Sequence, residues 1–197
     1  LILADTFRER ASSSFMGDDP AATTRALNAE KGVLDAALRR APSAPELYRR
    51  LCENRLTAAR AQLAVGRPPP EWQASFCHDG VLVLGSDVKT RSLAIEVEWR
   101  RILARLSRKG SAEDLLEEAR RITAEARSLL DHADAGYAES QNLGNALYAQ
   151  AQALRELGRP SPEVYEEAAR VLARGLEKAP GSVLGRQSLG IAWTRHG

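Results

Sequence analysis

The chain has 197 residues, 44% of them apolar but only 5% aromatic, and its 28 basic and 26 acidic residues leave a net charge of +2. A core made mainly of Ala and Leu suits close helix–helix contact and disfavours a β-sandwich, which draws on Val, Ile, Tyr and Phe. The small charge excess argues against a DNA-binding domain, where it is larger and one-sided, so no nucleic-acid partner is expected.

Two cysteines, Cys52 and Cys77, are too few for a disulfide framework and have no zinc-site spacing. A reducing, cytoplasmic setting is therefore expected. The longest aliphatic run, Val81 to Leu84, falls far short of a membrane span, no secretory signal is recognisable at the start, and no membrane partner is expected. The chain lacks an initiator Met and stops soon after a helical pattern resumes. We read it as an excerpt of a longer protein.

In chain order, Gly17-Asp-Asp-Pro20 marks a turn that opens a helix over 20–41, and Pro45 to Val65 reads as the next helix. The segment 70–84 follows. Its end, Cys77-His-Asp-Gly80-Val-Leu-Val-Leu-Gly85, has a β-like apolar run, but its register in the repeat described below favours helix. Further helices are expected over Lys89–Lys109, 111–131, Tyr137–Leu157 and 162–178. Gly at these helix ends is the residue preferred just past a C-terminus, and the Pro, Ser or Asp that follows starts the next helix. Ser111-Ala-Glu-Asp114 resembles a capping-box start. From Ser161 to Lys178, Val164, Ala168, Val171, Leu172 and Leu176 recur at the three-four spacing of one buried stripe.

These elements repeat. Leu38-Arg-Arg-Ala-Pro42-Ser43 matches Leu176-Glu-Lys-Ala-Pro180-Gly-Ser182, and the two prolines are three times 46 residues apart. Leu143-Gly144-Asn-Ala146-Leu147 matches Leu189-Gly190-Ile-Ala192-Trp193 at an offset of 46, and Leu51-Cys52 lies twice 46 upstream. Leu84 likewise falls twice 46 before Leu176. The implied organisation is one repeat domain over 1–197, with a partial unit at 1–43, units at about 44–87, 88–135 and 136–182, and a partial unit at 183–197.

Leu143-Gly144-Asn145-Ala146-Leu147-Tyr148, then Tyr165-Glu-Glu-Ala168, then Leu176-Glu-Lys-Ala-Pro180 resembles the tetratricopeptide repeat (TPR). The resemblance implies an all-α right-handed superhelix, or α-solenoid, of stacked helix-turn-helix units. It places Gly144, Gly190, Cys52 and Ala94 at the small position of the first helix, and Ala168 and Ala119 at its small partners on the second. The unit here is longer than the family's usual one of about 34 residues, with the extra length between Tyr148 and Tyr165. HEAT-type repeats have a compatible length and are the structural alternative. Elongated units of this kind look like the C-terminal arrays of bacterial Ser/Thr protein kinases.

The resemblance further implies a concave groove lined by first helices and filled by a protein or peptide partner. It assigns to that groove Arg49, Glu53 and Leu56, then Arg91, Ile95 and Glu98, then Gln141, Asn145 and Tyr148, then Gln187, Ile191 and Thr194. Some members of the family hold a terminal carboxylate with Lys and Asn. Asn145 matches the Asn, but Gln141 stands where a Lys is needed.

No catalytic residue, metal or cofactor is expected. Cys77-His78-Asp79 has the residue types of a catalytic triad, but neighbouring helical residues point about 100° apart and cannot converge. Asp131-His132-Ala-Asp134 has metal-ligand types but sits at an expected inter-repeat turn, which favours Asp for local hydrogen bonds. Arg100, Arg101, Arg105, Arg108 and Lys109 form a basic ridge without interleaved aromatics, which reads as a solvated face near a helix C-terminus rather than a nucleic-acid site. Trp72, Trp99 and Trp193 read as packing anchors. There is no GxxxxGK[ST], HExxH or GxSxG. The expected function is a protein–protein interaction module in a larger signalling protein. The alternatives are a ligand-sensing regulatory module of a transcription regulator or ATPase, and an enzyme on a helical scaffold; the oligomeric state is left open.

Overall fold

A computed structural model of the chain describes residues 2–16, 19–64, 88–132 and 135–196. The described residues form helices and their connections, with no strand among them. The helices are α1 (Ile2–Met16), α2 (Pro20–Arg40), α3 (Pro45–Ala64), α4 (Val88–Leu106), α5 (Ala112–Leu130), α6 (Tyr137–Glu156), α7 (Pro162–Lys178) and α8 (Val183–His196). The bounds of α2 to α7 fall within three residues of those expected from punctuation, and α1 and α8 add a helix at either end. The 70–84 segment, including Cys77-His78-Asp79, Trp72 and the Val81–Leu84 run, lies outside the described residues. Cys52 is disulfide-bonded. No described helix is long and apolar enough to cross a membrane.

The helix starts follow local chemistry. Asp19 caps α2 by accepting from the Ala22 N–H at 2.8 Å, with Pro20 in the first turn where its missing N–H is not needed. At α7 the Ser161 hydroxyl turns instead to the exposed Glu163 carboxylate and holds its pKa below the ordinary value. At α6 the Gly136 N–H donates to Glu139 at 2.7 Å, the carboxylate half of a capping box.

Two helix ends close with paired backbone bonds. After α6, Gly158 takes a left-handed φ of 69°, with Gly158 N–H bonded to Arg155 O and Arg159 N–H to Leu154 O. After α4 the left-handed residue is Lys109 (φ 60°), not Gly110. Gly110 occupies the next place and donates to Arg105 O.

The chain divides into two compact units, Leu1–Val97 and Glu98–Gly197, with the boundary inside α4. In the first unit α2 packs against both α1 and α3. Ala4 meets Leu34, while Ala11 meets Ala26 and Leu27, so α1 and α2 run antiparallel. Leu34 packs with Leu47 and Leu51, and the Asn54 amide donates to Leu27 O at 2.9 Å, which fixes α3 antiparallel to α2. Cys52 and Leu56 close a further cluster with Ala94 and Val97.

The second unit is built around α6, which packs against α5 on one side and α7 on the other. Many of its interior positions are small: Gly144, Ala146, Ala149, Ala151 and Ala153 are all buried, alongside Leu143 and Leu147. This lets α7 approach closely. A Cβ on Gly144 would sit 2.4 Å from Leu172 Cγ and 3.3 Å from Ala168 O. Gly175 lies against Ser140, and the Tyr148 and Tyr165 rings meet edge-on at 5.9 Å, so α6 and α7 run antiparallel. In turn α8 packs on α7 through Ala192 and Leu189 against Ala169 and Leu172, and through Gly185 against Leu176.

Candidate functional site

The candidate site is a polar stripe along α6. Gln141, Asn145, Tyr148 and Gln152 are spaced four, three and four residues apart, which places them on one face. Gln141, Tyr148 and Gln152 are half-buried and Asn145 is buried. The Gln152 amide donates to Tyr148 Oη at 2.8 Å, which orients the phenol. The buried Asn145 Nδ2 has no hydrogen-bond partner among the described residues. The stripe thus combines amide and phenol donors and acceptors without a formal charge. Such groups can match the N–H and C=O groups of an extended peptide. None of the four is a Lys or Arg that would offset the desolvation of a carboxylate.

The other groove candidates have different surroundings. Leu56 and Ile95 are buried, Leu56 in the cluster with Cys52, so neither lines a surface. Register about the helix axis accounts for the difference: α3 and α4 turn these residues inward. Glu53 is ion-paired to Arg8 of α1, and Arg49 to Glu46 on its own helix. Glu98 is also buried, with one carboxylate oxygen 2.7 Å from Arg101 and 3.9 Å from Arg121. Arg91 is half-buried. On α8, Gln187, Ile191 and Thr194 are exposed, and the Thr194 hydroxyl donates to Ile191 O.

The basic ridge on α4 is partly neutralised. Arg101 bonds Glu98 and Glu118, at 2.7 and 2.6 Å, and Arg105 reaches Glu118 at 3.3 Å. Burial acts to lower the Arg101 pKa, but the two carboxylates outweigh it and raise it. Arg100 instead lies over the Trp99 ring at 4.3 Å, a cation–π contact. Trp99 is a buried anchor whose indole N–H donates to Asn142 Oδ1 at 3.2 Å. Trp193 is exposed and so does not anchor the core. Asp131 and His132 sit at the end of α5, where His132 N–H bonds Leu129 O; Asp134 lies outside the described residues. Among the described residues no three His, Cys, Asp or Glu side chains gather as a metal site.

Gln152 is the stripe residue missed from the sequence, although its place four residues after Tyr148 could have revealed it. Comparison with protein-family models, curated proteins and solved structures finds no match.

Proposed function

We propose that the chain is a protein–protein interaction module of TPR-like repeats, stacked as a right-handed superhelix, that binds an extended peptide along the polar stripe of α6. The observation that carries this reading is the stripe itself: four polar, uncharged side chains at one helical spacing on α6, with Gln141 and Gln152 half-buried at its ends, Asn145 buried, and Tyr148 resting by its ring on Tyr165 of α7. Gly144 against Leu172 and Ala168 supports the repeat type, since it supplies the small contact that TPR hairpins use. The amides favour an internal, uncharged segment of the partner over a terminal carboxylate. We further propose that the module serves as the TPR arm of a larger bacterial, cytoplasmic signalling protein such as a Ser/Thr kinase, recruiting a substrate or regulator without chemistry of its own.

The test is to pan a random-peptide display library on the isolated chain and measure selected peptides against Gln141→Ala/Gln152→Ala. Neither side chain is part of the buried core, so the variant should keep its helicity. Affinity should fall about tenfold or more. Equal affinity for the variant would move the site off α6. Reading the coding sequence on both sides for a Gly-rich loop, a strand Lys and the H-R-D and D-F-G motifs tests the kinase assignment.

A further inference from the structure

The 46-residue offset places each residue of α8 opposite an equivalent in α6, and the two helices differ in what covers them. Gly144 corresponds to Gly190, Leu147 to Trp193 and Tyr137 to Val183. Leu172 and Ala168 fill the space before Gly144, whereas a Cβ on Gly190 would meet nothing within 4 Å among the described residues. Leu147 is 2% exposed, but Trp193 is 54% exposed. Val183 is exposed as well, although Tyr137 of α6 sits against Gly175. The seam that α7 closes on α6 is therefore open on α8.

We infer that this face of α8 is the seat for an amphipathic helix of the same chemistry as α7. The seat is continuous with an interface already formed. α8 packs on α7 through Leu189 and Ala192, the equivalents of Leu143 and Ala146, which leaves its Gly190 side pointing as Gly144 points in α6. The occupant runs antiparallel to α8. It presents a small residue and, four places on, a Leu to Gly190, as Ala168 and Leu172 do to Gly144. A second small residue three places further lies against Val183, as Gly175 lies against Tyr137. Trp193 then packs beside that Leu, and its large apolar surface leaves water. Separate exposed apolar residues are ordinary on a protein surface, but Val183, Gly190 and Trp193 share one seam whose closed form is present in the same unit. The inference rests on the repeat equivalence and not on peptide binding by the α6 stripe.

The probe is a synthetic helical peptide of this chain's own residues 161–178, titrated into the 197-residue protein. Gly190→Leu fills the seat; it is made at an open helical position, so the fold should tolerate it and thermal melting checks that it does. Binding is expected to the wild-type chain. It should weaken at least about tenfold in Gly190→Leu and in the peptide carrying Leu172→Asp. No binding by the helical peptide overturns the inference. Binding undiminished in Gly190→Leu overturns it too, because the peptide would then be using another surface or exchanging with α7. A concentration-dependent dimer of the free chain that Gly190→Leu dissolves would assign the face to a second copy, and overturn it in the same way. Loss of library binding at the α6 stripe would leave these outcomes unaffected.

Discussion

Arg8 Nε on α1 donates to Glu30 Oε1 on α2 at 2.8 Å, and the Glu30 side chain has no exposed surface. The same carboxylate accepts from Asn54 Nδ2 at 2.8 Å. Arg8 also bonds Glu53 and, at 3.1 Å, Arg50 O, so one guanidinium joins three helices. Arg8→Ala strands a buried carboxylate with a single amide donor. Breaking a buried pair from one side costs about 3–5 kcal/mol, and the partial exposure of Arg8 puts this pair near the lower end, about 3 kcal/mol. Chemical denaturation should show that loss. Lys at position 8 should recover little of it, since one ammonium cannot reproduce the planar fork. Arg8→Met with Glu30→Met should recover most of it, because no charge is then left buried.

The repeat-equivalent glycines should respond in opposite directions to Ala. At Gly190 the new methyl enters open space, so the substitution gains helix propensity, up to about 1 kcal/mol. At Gly144 it meets Leu172 at 2.4 Å, and the overpacking, about 1–3 kcal/mol, outweighs that gain. Melting temperatures of the two variants should move apart, Gly190→Ala upward and Gly144→Ala downward. A matching rise at both positions would mean that α6 and α7 do not approach as closely as described.

Lys109 holds a left-handed backbone at the end of α4, where side chains other than Gly are disfavoured by roughly 1 kcal/mol. Lys109→Gly should raise stability by up to about that amount, after the larger unfolded-state entropy of Gly is subtracted. Gly110→Ala should instead be destabilising, since its Cβ would lie 3.1 Å from Arg105 O and 3.3 Å from Leu115 Cδ1. Thermal denaturation distinguishes the two signs.

Punctuation made the helix bounds legible. Pro45, Tyr137 and Pro162 open helices where the sequence places them, because caps and turns are decided by neighbours in the chain. The close approach at Gly144 was also readable, since only a small residue between Leu143 and Asn145 repeats with the period. Rotation about the helix axis was not. Leu56, Ile95 and Glu98 were expected on a surface and are buried, because the direction a helix faces is set by partners far along the chain. Helix α6 shows why periodicity gave little help: with seams on two sides it has no single apolar stripe. The Arg8–Glu30 pair left no sequence signal either, as an acid and a base on separate helices usually face water. Lys109 was missed because Gly110 beside it drew the assignment of the helix end.

The two close-packed seams of α6 leave it unequal freedom to change. Gly144 has no room for a larger side chain, and Ala146, Ala149, Ala151 and Ala153 are buried, so enlargement at those positions is penalised by overpacking. Gln141 and Gln152 are only half-buried and lie outside the buried core, so they tolerate exchange more readily than Tyr148, whose ring meets Tyr165 of α7. Descendants of this sequence can therefore vary two positions of one helix while the close-packed frame around them stays as it is.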